Sequence, residues 1–487
     1  MSIKPLPSAL YRSEEVRTLE RLYIEQGGAT GFELMQRAAL ALWQTLRQRY
    51  SKARVIAVFC GAGNNGGDGY LLASLAHEAG LDVVVYALGA VSQFGADAGR
   101  AYQHYCQLGG KIASLEDTVN ADVLVDALLG SGLNRRVNGD YASAIALMNA
   151  HAAPVLAVDS PSGLDTDTGN VLGCAVQADC TVTFVALKQG LFTGFAAHYC
   201  GEIVFADLNV AAKWVNKVNP TAWRVLREKL APRARCIHKG QCGHVLVVGG
   251  DVGFSGAAVL AAEAALRTGA GLVSIATHPQ HAAFLNLHRP ELMCRGVSVA
   301  SELAPLLAKA SVIVVGVGLG QSAWAVALFN AVLATDKPLV VDADGLNLLA
   351  LNPHPRSNWV LTPHLGEAAR LLQVSNVAVQ QDRFASSQAL QTRYGGVVLL
   401  KGAGTVIASE QHLSVSTTGN AGMATAGMGD VLAGVIASLM AQGLTLPTAA
   451  QQGAYLHGLA GDLAAVQGGE RGLIASDLMS QLRYVVN

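Results

Sequence analysis

Short apolar runs separated by glycine recur through the first half of the chain. They are rich in valine and isoleucine and show no alternation of apolar and polar residues, which is typical of strands buried on both faces of a sheet. The runs span residues 54–60, 82–88, 122–128, 154–159, 181–187 and 203–208, with helix-length stretches at 69–79 and 97–108. This alternation predicts right-handed βαβ units and a parallel sheet, preceded by helices near 14–23 and 32–50.

A second series of apolar runs follows a segment that has no strong period. The segment, residues 211–239, contains Pro220, Pro232 and several basic residues, so we expect it to link two domains, 1–218 and 228–487. The later runs predict strands at 244–248, 272–277, 312–317, 338–342, 359–362, 397–401 and 405–408. The glycine motifs of the two halves differ in order and spacing, which indicates two different α/β folds and not a duplication.

Composition narrows the function classes. The 487 residues exceed the ~250–300 at which a single core stops growing, and the low charged fraction of 14% with 53 glycines fits buried parallel strands. A net charge of -1 offers no general attraction to nucleic acid or to an anionic membrane. The N-terminus lacks a signal-peptide apolar region, and no apolar stretch reaches the ~20 residues of a membrane helix, so we expect a cytoplasmic protein.

The first strand runs into the motif GAGNNGGDG, residues 61–69, before a helical pattern. Open α/β sheets bind ligands at this end of their strands, and a helix N-terminus attracts anions. The motif meets the dinucleotide fingerprint G-x-G-x-x-G only in part. We predict a ligand loop to which Asn64, Asn65 and Asp68 add polar side chains; the alternative is a tight turn in which Asp68 caps the helix.

Two further strand ends carry candidate chemistry. Asp126 precedes the loop GSGLNRR, where Arg135 and Arg136 suit a pyrophosphate or a 2′-phosphate; the alternative is a solvated basic turn. Asp159 begins the motif DSPSGLDTDTG, in which Ser162 and nearby carbonyl groups predict an oxygen-lined cation site. The alternative there is an Asx turn.

The second half lacks the P-loop pattern G-x-x-x-x-G-K-[ST], so phosphoryl chemistry is expected elsewhere. In GNAGMATAGMGD, residues 419–430, the backbone N–H groups of residues 426–429 can form an anion hole where a helix starts. We predict that Asp430 deprotonates a hydroxyl group at that hole, and helix capping is its alternative role.

Three other segments of the second half add candidates. Lys401 opens KGAGT, a predicted phosphate or adenosine clamp whose alternative is an ordinary hairpin turn. In TPHLGE, His364 is a candidate for substrate contact and Glu367 for holding water or Mg²⁺, with capping as the alternative for Glu367. Asp342 and Asp344 end a further strand, and a simple turn suffices to explain them.

Seven motifs in a fixed order closely resemble the bacterial bifunctional NAD(P)H-hydrate repair enzymes, and together they cover nearly the whole chain. They are NNGGDG, GSGLNRR, VDSPSGLDTDTG, HKGQCGHVLVVGG, TPHLGE, LLKGAGT and GNAGMATAGMGD. The resemblance implies a Rossmann-like first domain that epimerises the C6-hydrated nicotinamide of NADHX and NADPHX. It implies a ribokinase-like second domain that dehydrates the S epimer with ADP. A homo-oligomer, K⁺ and Mg²⁺ are further implications.

The resemblance also assigns roles to particular residues. The hydrated dinucleotide is held by Asn64, Asn65, Gly66, Gly67, Asp68, Gly130, Ser131, Gly132, Leu133, Asn134, Arg135 and Arg136, with Asp159 beside it as the expected acid/base. The implied K⁺ ligands are Asn65, Asp126 and Ser162. The implied contacts of the second domain are Ala258, Gly320, His364 and Asp430 with the hydrated nicotinamide, and Lys401, Gly402, Ala403, Gly404, Thr405 and Gly429 with the adenine nucleotide. One departure is Ala426, where relatives often have glycine; alanine permits the anion hole unless this position needs a positive φ.

Other functions share some of these features. A kinase of small alcohols with a non-catalytic dinucleotide-binding first domain would share the Asp430 motif. A nicotinamide-dependent oxidoreductase would share the dinucleotide site, but the sequence lacks a clean fingerprint with an acidic residue ~20 positions further on. A purely binding role for the first domain does not explain why Asp126, Asp159 and the GSGLNRR loop are present together.

Overall fold

The structure is a computed structural model that describes residues 5–487. The chain divides into two compact units, one ending at Trp223 and the other beginning at Arg224. Each unit contains a mainly parallel sheet with helices packed on it, which confirms the predicted α/β fold class. Among the described residues, no helix is long and apolar enough to cross a membrane.

The first unit is built on a parallel sheet. Its strands are β1 (Ala9–Tyr11), β2 (Val55–Cys60), β3 (Asp82–Ala87), β4 (Lys111–Ala113), β5 (Val123–Ala127), β6 (Val155–Val158), β7 (Cys180–Phe184), β8 (Leu187–Lys188), β9 (Glu202–Ala206) and β10 (Ala222–Arg224). Seven of the described strands form the sheet, in the order β4-β3-β2-β5-β6-β7-β9. Strand β1 pairs instead with β8 and β10.

Helices cover both faces of this sheet. They are α1 (Ser13–Gly27), α2 (Gly31–Arg49), α3 (Asn64–Glu78), α4 (Ala96–Gln107), α5 (Gly139–Ala150), α6 (Ala196–Tyr199) and α7 (Ala212–Val215). Alternate residues of β2 point to opposite faces, so Val58 packs with α2 and α3, whereas Phe59 packs with α5. Burial on both faces explains why the strands read as uninterrupted apolar runs.

One predicted strand is shorter than its apolar run. The run 181–187 ends as a strand at Phe184, because Val185 has a φ of 64° and reverses the chain. A positive φ is unusual for a β-branched residue. The bend leads into β8 and brings Lys188 back towards the end of β7, where its ammonium group donates to the Phe184 carbonyl over 3.0 Å.

The second unit has a larger sheet. Its strands are β11 (His244–Val248), β12 (Leu272–Thr277), β13 (Met293–Gly296), β14 (Val312–Val315), β15 (Leu339–Val341), β16 (Trp359–Leu361), β17 (Val397–Leu400), β18 (Thr405–Ala408) and β19 (Leu413–Ser416). Their order is β13-β12-β11-β14-β15-β16-β17-β18-β19. The strands from β13 to β17 are parallel, and β17, β18 and β19 form an antiparallel meander.

Two helical layers enclose this second sheet. The helices are α8 (Ser255–Thr268), α9 (Ala304–Lys309), α10 (Ala323–Leu333), α11 (Asp344–Leu351), α12 (Leu365–Leu372), α13 (Asn376–Gln381), α14 (Arg383–Tyr394), α15 (Met428–Ala441), α16 (Leu446–Gly468) and α17 (Leu478–Val485). Helices α8, α15, α16 and α17 share one core with Val245 and Val247. Helices α10, α11 and α12 share the other with Leu246 and Val248. The candidate residues near the ends of β15, β16 and β17 therefore lie at one edge of the sheet.

Two candidate active sites

The motif NNGGDG is the start of a helix and not the predicted loop. Helix α3 begins at Asn64, and its N-cap is Gly63, so the alternative in which Asp68 caps the helix is also wrong. A Cβ on Gly66 would lie 1.9 Å from the Gly61 carbonyl oxygen, and one on Gly69 would lie 2.5 Å from the Ala127 Cβ. These glycines let α3 pack closely on β2 and β5, and this puts the helix N-terminus at the carboxyl end of the sheet.

Asp126 and Ser162 form a fully buried polar contact. The Ser162 hydroxyl donates to one carboxylate oxygen of Asp126 over 2.5 Å, and the Ser162 N–H donates to the other over 2.7 Å. Burial raises the pKa of Asp126 to about 6, although the hydrogen bonds from Ser162 and Leu128 oppose that shift. Asn65 lies nearby, with its amide oxygen 3.3 Å from the point where a Cβ on Gly130 would stand. The structure therefore brings the three predicted K⁺ ligands to the same end of the sheet.

Asp159 has an unusual backbone conformation and forms an ion pair. It has a φ of 64°, and its carboxylate accepts a hydrogen bond from the ammonium group of Lys188. It also accepts from the Thr183 hydroxyl and the Phe184 N–H, each over 3.3 Å. The alternative of an Asx turn is wrong, since the carboxylate bonds to the neighbouring strand and Pro161 has no N–H to donate. Sequence reasoning missed Lys188.

Two more carboxyl groups lie within electrostatic range of this ion pair. Burial raises the pKa of Asp68 well above its usual range, the charges of Asp159 and Glu20 raise it further, and Lys188 lowers it. Burial likewise raises the pKa of Glu20 to about 7, with Lys188 and Arg17 opposing that shift. Sequence reasoning missed Glu20, because a glutamate on an amphipathic helix ordinarily faces solvent.

The GSGLNRR loop follows β5 without regular structure. Arg135 and Arg136 are exposed, so their guanidinium groups are accessible to a ligand. Gly132 and Asn134 are exposed as well, whereas Gly130 is half-buried against Asn65.

In the second unit, a lysine–aspartate pair lies against the start of α15. Lys401 Nζ is 2.6 Å from a carboxylate oxygen of Asp342, which is almost fully buried. Burial lowers the pKa of Lys401, but Asp342 and Glu367 raise it by more, so the net shift is upwards. A Cβ on Gly429 would lie 3.1 Å from Lys401 Nζ and 3.2 Å from the other Asp342 oxygen. Asp342 is thus more than a turn residue.

Asp430 lies in the first turn of α15 and is free of the capping role. The N-cap is Gly427, with a φ of 88° and no side-chain cap. Burial raises the pKa of Asp430 to about 7, Asp342 and Asp344 raise it further, and Lys401 lowers it. The positive φ falls on Gly427 and not on Ala426, so alanine at 426 is compatible with the predicted anion hole.

His364 and Glu367 cap α12 and also join the charged cluster. The Glu367 carboxylate accepts from the His364 N–H over 2.8 Å, and the His364 ring nitrogen accepts from the Gly366 N–H over 2.9 Å. The capping alternative for Glu367 is therefore present. The same carboxylate lies 3.9 Å from Lys401 Nζ, and burial raises its pKa to about 7.

The KGAGT segment forms the turn of a hairpin between β17 and β18, as the alternative prediction of a hairpin turn stated. A buried arginine donates hydrogen bonds to this turn. Arg383 on α14 donates to the carbonyl oxygens of Leu400 and Lys401 over 3.1 and 3.2 Å. Gly402 has a φ of 144°, and a Cβ there would lie 2.9 Å from the Arg383 guanidinium. Sequence reasoning missed Arg383, since only the fold brings α14 under the hairpin.

The remaining two predicted residues differ in exposure. The Gly320 N–H donates to Asp344 over 2.8 Å, and Gly320 has a φ of 72°, so it forms a tight turn at the strand ends. Ala258 is fully buried in α8, where its Cβ packs under Gly250. Its side chain is therefore not available at the surface in this structure.

Comparisons with known proteins show which family the chain belongs to. Residues 245–483 match a family model described as NAD(P)H-hydrate dehydratase, and residues 31–190 match the YjeF-related protein N-terminus.

The bifunctional NAD(P)H-hydrate repair enzyme of Coxiella burnetii is 48% identical over 99% of this chain and 100% of its own length. The Escherichia coli (strain K12) enzyme of the same name is 42% identical over 99% of this chain and 95% of its own. A crystal structure of ADP/ATP-dependent NAD(P)H-hydrate dehydratase from Bacillus subtilis, co-crystallised with ATP/Mg²⁺, is 28% identical with a TM-score of 0.49 and covers 53% of this chain and 93% of that one. The chain belongs to the family of bifunctional NAD(P)H-hydrate repair enzymes.

Proposed function

We propose that residues 1–218 epimerise the R and S forms of NADHX and NADPHX, and that residues 228–487 dehydrate the S form with ADP. The products of the second reaction are NADH or NADPH, AMP and phosphate. The two matched families, in this order along the chain, support the pairing of activities. The observation that carries the second activity is the cluster of Asp430, Lys401 and Asp342 at the N-terminus of α15, because it combines a base, a cation and unpaired backbone N–H groups.

In the dehydration, Asp430 takes the proton of the C6 hydroxyl group. The hydroxyl oxygen then attacks the β-phosphorus of ADP, and AMP leaves. The C6–O bond of the phosphorylated intermediate breaks with help from the ring nitrogen, phosphate departs, and loss of a proton from C5 restores the dihydropyridine. A base with a pKa near 7 suits this first step at neutral pH.

The adenine nucleotide is held by Lys401–Thr405 and by the start of α15. Lys401 supplies a positive charge, and the N–H groups before Asp430 supply hydrogen-bond donors for the phosphates. His364 and Gly320 lie on the side of the hydrated nicotinamide, and Ala258 supports the site through its packing under Gly250. Mg²⁺, which commonly binds through one or two carboxylates plus phosphate oxygens, would neutralise charge on the phosphates, with the buried Glu367 as its protein ligand.

In the epimerisation, Asn64–Asp68 and Gly130–Arg136 hold the dinucleotide and Asp159 handles a proton at C6. Asp126, Ser162 and Asn65 form a donor set that fits K⁺. The carboxylate of Asp126 is fully buried and has no ion-pair partner among residues 5–487, so a cation would balance its charge. The ion would supply positive charge that orders the loop after β5.

A kinase of small alcohols is the weaker alternative. It would explain Asp430 but not the first unit, and the full-length relatives carry the repair-enzyme name. The test is to supply purified protein with both epimers of NADHX, ADP, Mg²⁺ and K⁺, and to follow the near-ultraviolet absorbance of NADH. Complete recovery, faster than spontaneous epimerisation, is expected. Recovery that stops at about half would leave only the dehydratase, and a stable phosphorylated product would favour the kinase.

A further inference from the structure

A single buried lysine lies among three carboxyl groups in the first unit. The side chain of Lys188 is 1% exposed, and within residues 5–487 its ammonium group forms an ion pair with Asp159 and with neither Asp68 nor Glu20. The same ammonium donates to the Thr183 hydroxyl over 3.2 Å and to the Phe184 carbonyl over 3.0 Å. Its three hydrogens are therefore committed, and the other two carboxyl groups are left without a partner cation at ion-pair distance.

This geometry separates the charge states of the carboxyl groups. Asp159 is bonded to the ammonium group and to a backbone N–H, both of which stabilise a carboxylate. Burial and the charges of Asp159 and Glu20 raise the pKa of Asp68, and Lys188 lowers it by less. The Cys60 thiol on β2 also interacts with Asp68, and burial raises the pKa of this thiol. The raised pKa favours the protonated form of Asp68, whereas the hydrogen bonds from Lys188 and the Phe184 N–H suit a carboxylate at Asp159.

The two aspartates come from different sides of the site. Asp68 lies on α3, which follows β2, and Asp159 follows β6; β2 and β6 flank β5 in the sheet. Each aspartate also has a neighbour along the chain with unused hydrogen-bonding capacity. The Ser160 hydroxyl, next to Asp159, and the Asn65 amide nitrogen, one helical turn before Asp68, are buried and have no protein partner. Buried polar atoms without partners are uncommon in native structures and are consistent with a bound ligand.

We propose that Asp68 and Asp159 act as an acid–base pair in the epimerisation, and that Lys188 is the positioning residue that gives Asp159 the role of base. This rests on the proposed epimerase function. Asp68 donates its proton to the C6 hydroxyl group, and water leaves as the lone pair of N1 forms an N1=C6 iminium bond. Water then adds to the opposite face of C6 and gives a proton to Asp159. Return of that proton to Asp68 resets the site.

The test is the pH dependence of epimerisation by the full chain without ADP, so that no dehydration competes. Chromatography of the two NADHX epimers gives the rate. For the wild type we expect a profile with a limb that falls as the pH rises and Asp68 loses its proton. Lys188→Met should reduce kcat by about 10²–10⁴-fold with little change of KM, because the carboxylate of Asp159 loses the ammonium group that positions it. Lys188→Arg keeps the positive charge and should restore part of the rate.

Asp68→Asn should reduce kcat by about 10²–10⁴-fold, the contribution of a general acid, and should remove the falling limb. Lys111→Met is the matched control, since Lys111 forms an exposed pair with Asp82 in the same unit, and its profile should equal that of the wild type. Dehydratase activity of each variant, measured with S-NADHX and ADP, reports the integrity of the chain. The pH at the midpoint of the falling limb does not depend on the fraction of the sample that is folded, so it is a second control.

The outcomes separate the inference from the function on which it rests. A Lys188→Met protein with the wild-type kcat, or a Lys188→Arg protein as slow as Lys188→Met, would overturn the role of Lys188. An Asp68→Asn protein with the wild-type rate and the same falling limb would overturn the role of Asp68. Lack of epimerisation by the wild type would contradict the proposed function itself.

Discussion

Both units contain a lysine–aspartate pair near the carboxyl ends of parallel strands, but the two lysines differ in exposure. The side chain of Lys401 is 19% exposed and pairs with Asp342, whereas that of Lys188 is 1% exposed and pairs with Asp159. We therefore expect Lys401 to be accessible to a ligand phosphate, and Lys188 to act through Asp159. The proposed base also differs: it is the unpaired Asp430 in the second unit and the paired Asp159 in the first.

This difference shows that an ion pair alone does not reveal which carboxyl group moves a proton. An ion pair favours the charged form of a carboxyl group, whereas burial without a cation nearby raises its pKa. In the second unit the unpaired Asp430 suits a step that begins with deprotonation. In the first unit a reversible change at C6 needs both an acid and a base, so a paired and an unpaired carboxyl group are useful together.

The largest effect is expected for Asp430→Asn. Loss of the general base should reduce kcat of dehydration by about 10²–10⁴-fold and leave epimerisation unchanged. Consumption of S-NADHX with ADP measures the first rate, and epimer interconversion without ADP measures the second. Dehydration at the wild-type rate would exclude Asp430 as the base, and a parallel loss of both activities would indicate damage to the fold.

Replacement of the two lysines should separate their roles. Lys401→Met removes a charge-assisted hydrogen bond worth about 1.5–3 kcal/mol to the phosphates, so the KM for ADP should rise by about 10–100-fold. Lys188→Met should leave both kinetic constants of dehydration unchanged. Initial rates at varied ADP concentrations give these constants. An unchanged KM for ADP in Lys401→Met would contradict the difference drawn from exposure.

The pH dependence of dehydration should follow Asp430. Its pKa is raised to about 7 and its active form is the carboxylate, so kcat/KM should fall as pH drops through 7, approaching tenfold for each unit below it. The pH dependence of ADP binding is the control, measured from its KM in the same range. A flat profile between about pH 6 and 8 would exclude a base with this pKa.

A smaller effect is expected for Gly429→Ala. The new Cβ would lie 3.1 Å from Lys401 Nζ and 3.2 Å from Asp342, so the flexible lysine must shift by a few tenths of an ångström. We expect the KM for ADP to rise by about 2–5-fold, an effect of less than ~1 kcal/mol. Gly256→Ala on α8 is the matched control, because nothing lies within 4 Å of its Cβ position. Equal behaviour of the two variants would contradict the close approach at Gly429.

The strands were predictable because burial on both faces leaves uninterrupted apolar runs. The start of α3 could not be predicted, because Asn and Gly are poor helix formers. The requirement for glycine there comes from β2 and β5, which pack against the helix. The polar site residues at strand ends could be found from their place after apolar runs. Lys188 and Arg383 could not be found in this way, because their partners come from other elements. Lys188 pairs with Asp159, which follows a different strand, and Arg383 on α14 bonds to hairpin carbonyl groups that lie far from it in sequence.

The bend at Val185 has a consequence for engineering. A valine with a φ of 64° is strained by about 1–3 kcal/mol relative to an ordinary backbone conformation. Its neighbours hold it through hydrogen bonds, from the Val185 N–H to Ala206 and from the Ala186 N–H to Phe184. Glycine at this position would relieve the strain but would also remove a valine side chain that is 2% exposed, and burial of such a side chain is worth about 1.5–3 kcal/mol. The two effects are similar in size, so Val185→Gly should change the stability little while it loosens the return of the chain to Lys188, and thermostability and epimerase activity should be measured together.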